Sequence, residues 1–157
     1  MTSSDGEEKA SGIHAGAEDF TERRQVKTER EKMLRWQQGI NRLQQSLLAP
    51  APLEVKLRAI TDGIVHIFDA DFCRVWLVRH GDLCERGCVH AKLKEGPHEC
   101  RHREQCLHLL ASSGRYTHLD GNHRRVPIGA YKIGLIASGV EHKFLTNDVS
   151  NDCQGTG

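Results

Sequence analysis

The chain has 157 residues, which is enough for one domain with extensions. Its 22 lysines and arginines nearly balance its 21 aspartates and glutamates, so overall charge favours neither nucleic acid nor a membrane surface as a partner. No apolar run approaches the ~18 residues of a membrane span, and residues 1–11 lack the apolar core of a signal peptide. We therefore expect a cytoplasmic protein, in which clustered cysteines bind metal more often than they form disulfides.

Two different segments precede the predicted domain. Residues 1–28 are polar, contain few aromatic residues and show no periodicity, which predicts a disordered lead. Residues 29–49 predict a helix, because apolar side chains recur with the spacing of a coiled-coil seam: Met33, Trp36, Ile40, Leu43 and Leu47. This coiled-coil-like helix would either pack on its own domain or join two chains into a homodimer through residues 33–47.

A second helix and a strand are predicted to open the domain. Pro50 and Pro52 break the chain after the first helix, because the residue before a proline is driven out of the helical region. The second helix is predicted over residues 53–68, and its apolar face consists of Leu57, Ile60, Ile64, Ile67 and Phe68. Residues 72–79 are rich in β-branched and aromatic side chains, which predicts a strand.

Four cysteines follow within one 23-residue window: Cys84, Cys88, Cys100 and Cys106. Their spacing is C-x3-C-x11-C-x5-C, and His90 and His98 lie between them. A tetrahedral thiolate site suits zinc, and such a site can hold together a loop that is too polar to pack by itself. We therefore predict a structural zinc ion on these four cysteines. An iron–sulfur cluster is the alternative cofactor, and free or disulfide-paired cysteines are the alternative without a metal.

The remaining predicted elements are short. Residues 106–111 predict a second strand, although the leucines in this segment also permit a helix over residues 103–112. A short extended stretch at residues 125–127, a helix over residues 129–138 and a strand over residues 143–147 follow. The predicted elements include both helices and strands, and the predicted fold class is α/β (α+β).

Three local patterns in the second part of the chain resemble those of a GAF domain. The helix that leads through Ala70-Asp71 into the first strand resembles the opening of that fold. Residues 109–114 resemble its strand that ends in a turn of small residues. The most specific pattern is a P-x-G, glycine and N-D-V signature, which is similar to residues 126–129, Gly134, residues 136–139 and residues 144–149.

The resemblance covers residues 53–152 and implies a GAF-like antiparallel sheet flanked by helices over residues 53–157, incomplete because the C-terminal strands are missing. It also implies a sensory module of a bacterial histidine kinase or similar two-component protein, with an unknown small-molecule ligand and an output domain outside this chain. The implied pocket lies between the sheet and the distal helices. Its candidate residues by position are Trp76, Arg79, His108, Tyr116, His118, Tyr131 and Lys132. The cysteine-rich segment resembles that of a bacterial sensor subgroup.

No catalytic motif is evident, so we expect no enzymatic activity. Cys106 and His108 share a strand face and could mimic a thiolate–imidazole pair, but the sequence shows no third group to orient them. His123-Arg124-Arg125 could meet an anionic ligand, although a solvated face is the simpler interpretation. Two other functions stay open: a redox or metal sensor whose input is the cysteines, and a zinc-stabilised adaptor supported by the basic residues Lys92, Lys94, Arg101 and Arg103.

Overall fold

The computed structural model describes residues 11–146. The chain divides after Ala49 into two units. In the first unit the described residues form one long helix. The second unit is a mixed α+β domain with two helices and a three-stranded antiparallel sheet. None of the helices in the described range has the length and apolar character needed to cross a bilayer.

Helix α1 spans Ser11–Leu48. It therefore begins well before residue 29, and the predicted disordered lead over residues 1–28 does not extend into residues 11–28, which are helical; residues 1–10 lie outside the described residues. The physical reason is that Glu, Arg, Lys and Gln dominate residues 22–32, and these side chains have high helix propensity without needing a buried face. Of the predicted seam, Met33 is 60% exposed and Ile40 is 37% exposed, whereas Trp36, Leu43 and Leu47 are half-buried.

Helix α2 spans Leu53–Phe68, the bounds that the prolines and the apolar spacing predict. Asp69 ends it in the left-handed conformation, at φ 52°, and its backbone N–H donates to the carbonyl of Val65. Leu57 is buried, Ile60, Ile64 and Ile67 are half-buried, and Phe68 at the helix end is exposed. Three of the four turns therefore present apolar side chains to the domain.

The sheet has the strand order β1-β2-β3, and both pairs are antiparallel. Strand β1 spans Phe72–His80, β2 spans Gln105–Gly114 and β3 spans Arg125–Pro127. The helical alternative for residues 103–112 is thereby excluded. The pairing of β1 with β2 runs from Phe72 opposite Gly114 to His80 opposite Gln105, with an irregularity after Val75. Because β2 is the central strand, it is buried along nearly its whole length.

A buried polar contact joins α2 to β2. Thr61 of α2 and Ser113 of β2 are each almost fully buried, and their hydroxyl oxygens lie 2.6 Å apart. The Ser113 hydroxyl also lies 2.5 Å from a carboxylate oxygen of Asp62, to which it donates. Each buried hydroxyl therefore has a partner, as buried polar groups require. The contact fixes α2 over the end of β2 that is remote from the cysteines.

The last described elements are a short 3-10 helix at Asn122–Arg124 and helix α3 at Tyr131–Ala137. Helix α3 packs closely on β3 because residue 134 is glycine: a Cβ atom there would lie 2.4 Å from the carbonyl oxygen of Pro127. The strand predicted over residues 143–147 is wrong for residues 143–146, which have no regular structure, and residue 147 lies outside the described residues. A short extended segment becomes a strand only when a neighbour pairs with it, and Phe144 instead lies beside Lys132 of α3.

We expect Leu57→Ala to lower the free energy of unfolding by about 2–5 kcal/mol, because it empties a buried site between α2 and the sheet. Leu53→Ala is the matched control on the same helix. Since Leu53 is 46% exposed, its loss should cost about 0.5 kcal/mol or less. Urea unfolding of both variants measures the difference, and equal losses would contradict the described burial of α2.

Candidate metal centre

The cysteines lie on a long excursion between β1 and β2, residues 81–104, which contains no helix or strand. Its two ends are held together because the Gly81 N–H donates to the Glu104 carbonyl at 2.9 Å, which continues the β1–β2 ladder by one bond. Only glycine fits at residue 81: a Cβ atom would lie 2.1 Å from the Arg103 carbonyl oxygen and 3.3 Å from the Cys84 Sγ. The base of the excursion is therefore tightly closed beside Cys84.

Successive turns fold the excursion back on itself. The N–H groups of Arg86 and Cys88 both donate to the Leu83 carbonyl, and the Ala91 N–H donates to the Cys88 carbonyl. The Cys100 N–H then donates to the His90 carbonyl at 3.2 Å. These bonds bring the second and third cysteines back toward the first, although twelve positions separate Cys88 from Cys100 in the numbering. Backbone geometry thus gathers residues that the sequence spaces unevenly.

All four predicted ligands line one small cavity of about 10 Å³. Cys84, Cys88 and Cys100 come from the excursion, and Cys106 comes from the start of β2. The cavity has room for about one water-sized sphere, which is also the room that a single metal ion needs. Its wall is completed by His90 and by the beginning of β3. The structure therefore brings together every cysteine of the predicted cluster and leaves Cys73 on β1 outside it.

Burial and nearby groups make two of these thiols, those of Cys100 and Cys106, hard to ionise. Desolvation raises the pKa of Cys100, and the neighbouring Cys84 and Cys88 thiols raise it further. Desolvation raises the pKa of Cys106 to about 11, against the opposing charge of Arg125. A divalent cation reverses this balance, because its charge stabilises each thiolate and proton release accompanies binding. The chemistry of this donor set thus matches a soft cation.

A second group of potential ligands shares one member with the first. Among the described residues, the ligand atoms that all lie within 4.8 Å of one another belong to Asp82, Cys106 and His108; the four cysteine sulfurs form no equally tight group. Asp82 is nevertheless a poor ligand here, because both of its carboxylate oxygens accept from the Arg125 guanidinium, at 2.7 and 2.6 Å. The Arg125 fork also holds the pKa of Asp82 at about 2.

His108 also has a hydrogen-bond partner outside this group. Its Nε2 lies 2.9 Å from the His80 carbonyl oxygen, a distance at which the ring N–H donates to that carbonyl. Burial lowers the pKa of His108 and raises that of Cys106, which favours the neutral forms of both groups. A reactive thiolate–imidazolium pair needs the opposite shifts. Asp82 is the third polar group beside Cys106 and His108, which the sequence did not reveal. Its hydrogen bonds go to Arg125, which it holds in the cavity wall.

Two histidines of the excursion have no hydrogen-bond partner. The ring nitrogens of His90 and His98 are buried and unpaired in the described structure. His98 stacks on the ring of Tyr131, with centroids 4.0 Å apart, and His90 meets the same ring edge-on at 5.5 Å. Burial lowers the pKa of His90, and the nearby His123 and His98 lower it further. The backbone of His98 and Arg125 opposes this shift without forming a hydrogen bond of normal geometry.

The residues proposed for a small-molecule pocket are dispersed. Tyr131 and Lys132 line a larger cavity of about 570 Å³, together with excursion residues 96–99, 101 and 102 and with Phe144. The other candidates do not line this cavity. The indole N–H of Trp76 donates to the His123 carbonyl, and Arg79 lies 3.9 Å from Glu54. Tyr116 packs on Phe72 and His118, and the His108 ring is hydrogen-bonded to the His80 carbonyl. The predicted basic cluster is also divided, since Arg125 turns toward Asp82 and Arg124 is exposed.

Comparison of the chain with protein-family models, with curated proteins and with solved structures finds no match. The described residues form one cavity lined by thiols, with Arg125 of the Asp82 ion pair in its wall, and a larger cavity lined in part by residues 96–99, 101 and 102 of the excursion. The first can hold a single ion, and the second has the volume typical of a small-molecule site, ~300–1,000 Å³.

We expect Asp82→Asn to remove a pH-dependent part of the stability. Folding lowers the pKa of Asp82 from 3.8 to about 2. The ion pair with Arg125 therefore stabilises the folded chain at pH values above the pKa of the unfolded state, and this stabilisation is lost as the pH falls from about 4 toward 2. Unfolding free energies measured from pH 7 down to pH 2 should fall more steeply in the wild type than in Asp82→Asn. Asp71→Asn, which breaks an exposed pair with Arg115, should keep the wild-type profile. Parallel profiles for the wild type and Asp82→Asn would contradict this role.

Proposed function

We propose that the chain is a sensory or regulatory module whose excursion is held by one structural metal ion, most suitably zinc. The observation that carries this proposal is the meeting of Cys84, Cys88, Cys100 and Cys106 around one cavity the size of a single ion. The excursion has no regular structure and few apolar side chains, so a metal cross-link supplies the stability that packing does not. Unpaired clustered cysteines also favour a reducing, cytosolic compartment.

A single zinc ion suits the cavity better than an iron–sulfur cluster. A volume of about 10 Å³ has no room for the several inorganic atoms of a cluster. Thiolates bound to one divalent ion leave a net negative charge, and Arg125 lies in the wall to compensate it. The same burial argues against a role for the cysteines as the redox input, because redox-sensing thiols have low pKa values and are accessible.

The sensory part of the proposal rests on the GAF-like order of elements and on the larger cavity. The domain has the order helix, strand, excursion, strand and helix on which the resemblance rests, with the short strand β3 before the last helix. The final strand of that order is not formed at residues 143–146. The cavity of about 570 Å³ lies between residues 96–102 and α3, and it offers Tyr131 and Phe144 as apolar surfaces and Arg101 and Lys132 as polar ones. A small molecule bound there would contact the metal-held excursion directly, and the helices would pass the change to an output domain of a bacterial two-component protein.

Helix α1 supplies a candidate surface for a homodimer. Its apolar seam leaves Met33 and Ile40 exposed, which is costly in water and is relieved when two such helices pack together. Parallel helices joined this way are a common means of connecting sensory modules to an output in a second chain. We therefore include self-association through residues 33–47 in the proposed function.

The metal proposal predicts one zinc ion per chain after purification without added metal. Cys84→Ser should lose most of the zinc and lower the unfolding free energy, because it removes one ligand from the excursion. Cys73→Ser is the control, since Cys73 is a free cysteine outside the cavity, and it should retain zinc. Elemental analysis measures the ion, and absence of metal in the wild-type chain would contradict the proposal. A visible absorption band after anaerobic purification would instead support iron–sulfur.

The dimer proposal predicts that Ile40→Asp combined with Leu43→Asp yields a monomer that is still folded, because two charges enter the apolar seam. Asn41→Asp combined with Gln44→Asp adds the same charge on exposed positions of the same helix and should remain dimeric. Sedimentation equilibrium of the three proteins distinguishes them. A monomeric wild type would show that the seam does not join two chains.

A further inference from the structure

The larger cavity, of about 570 Å³, has an apolar lining drawn from separate parts of the domain. Its members come from the excursion, from α3 and from the residues on either side of that helix: Pro97, Ile128, Tyr131, Leu135 and Phe144. Phe144 is 40% exposed, so part of its ring is open to a ligand. A cavity of this volume with aromatic walls suits a small organic molecule that has an apolar body.

Tyr131 has a strained backbone conformation at the wall of this cavity. Its φ of 57° lies in the left-handed region, which disfavours bulky side chains and which glycine adopts without strain. Three imidazoles hold the ring: His98 stacks on it with centroids 4.0 Å apart, and His90 and His123 meet it edge-on at 5.5 and 5.4 Å. Strained residues of this kind cluster at ligand-binding sites. The strain at residue 131 thus accompanies a fixed aromatic ring in the cavity wall.

The lysine, arginine and acidic side chains that line the larger cavity carry a surplus of positive charge. They are Arg101, Lys132 and Glu99, two cations against one anion. The Oε2 of Glu99 and the Nε of Arg101 are 3.6 Å apart, which is longer than a hydrogen bond, so Glu99 does not use up the donors of the guanidinium. The Arg101 side chain is 73% exposed, and the planar fork of a guanidinium matches a carboxylate.

The positive charge lies beside the aromatic surface. The ammonium nitrogen of Lys132 is 6.0 Å from the centroid of the Phe144 ring, and Tyr131 precedes Lys132 in α3. A ligand that matches both features carries an anionic group next to a flat apolar body. A cationic ligand would instead meet two like charges in the cavity wall, which is unfavourable.

We propose that the larger cavity binds a small organic acid with a planar apolar body and one carboxylate. The carboxylate would meet Arg101 and Lys132, and the apolar body would contact Tyr131 and Phe144. This inference rests on the small-molecule site of the proposed function and specifies the chemical class of its ligand. It does not depend on which side chains hold the metal ion.

Three probes with one ring system and different charges test the ligand class: anionic naphthoate, neutral naphthamide and cationic naphthylmethylammonium, all substituted at the same ring position. In calorimetric titrations of the full chain, naphthoate should bind about 10-fold more tightly than naphthamide, because only the carboxylate gains charge-assisted hydrogen bonds. The cation should bind most weakly. Proton NMR of the naphthoate complex should show shifted ring resonances of Tyr131 and Phe144.

Matched variants separate the charge from the ring. Arg101→Gln combined with Lys132→Gln should weaken naphthoate binding about 10-fold and abolish its preference over naphthamide. Lys92→Gln combined with Lys94→Gln removes the same charge from exposed residues of the excursion that do not line the cavity, and should keep the wild-type preference. Tyr131→Leu should weaken naphthoate and naphthamide by a similar factor, about 2–10-fold, because it removes the aromatic ring and keeps the cations.

Three results would overturn the assignment. Equal or tighter binding of naphthamide or of the cation in this cavity would contradict the ligand class and leave a small-molecule site in place. A preference for naphthoate that survives Arg101→Gln with Lys132→Gln would show that the anion binds elsewhere. No binding of naphthoate at millimolar concentrations would contradict the inference as a whole. The zinc content of the same samples tests the proposed metal centre separately, so that the two failures are distinguishable.

Discussion

The excursion between β1 and β2 is the part of the domain that the proposed metal ion would hold together. Residues 81–104 run without helix or strand, and loops of more than about 12–15 residues are rarely structureless unless they are functional. Backbone bonds close the base at Gly81 and form isolated turns, but few large side chains of this segment are buried. In the proposed function, the four thiols around a cavity of about 10 Å³ would supply a cross-link once a cation replaced their protons. A metal ion bound there would stabilise this polar segment as part of the domain.

Two strands of the sheet, β2 and β3, form part of the wall of the cysteine cavity. Arg125 on β3 lies opposite His108 on β2, and it reaches across to Asp82 at the start of the excursion. This ion pair is only partly shielded from water, so its net contribution is modest. Its position matters more than its strength, because it places the Arg125 guanidinium in the wall of the cysteine cavity, where metal-bound thiolates would carry negative charge. Residues 96–99, 101 and 102 of the excursion also line the larger cavity, so a ligand bound there and the proposed metal would act on the same segment.

The sequence predicted the elements with strong local signals. Prolines and apolar spacing set both ends of α2. The four cysteines line one cavity, although their sulfurs form no group as tight as that of Asp82, Cys106 and His108. The sequence did not predict the start of α1, where charged helix formers extend the helix without an apolar face, nor the absence of a strand at residues 143–146, which depends on a pairing partner. His90 was visible only as a histidine between cysteines, and Asp82 only as a residue after a glycine. The burial of His90 and the pairing of Asp82 with Arg125 depend on contacts across the fold, which spacing along the chain does not encode.

Amide hydrogen exchange with and without a metal chelator tests the central claim most directly. With metal bound, the amides of Cys88 and Cys100 should be protected by their bonds to the Leu83 and His90 carbonyls. After chelation we expect these amides to exchange at nearly the rate of an unfolded chain, while the amide of Leu109 in the central strand stays protected. Unchanged protection of Cys88 and Cys100 after complete removal of the metal would contradict the claim that a metal holds the excursion.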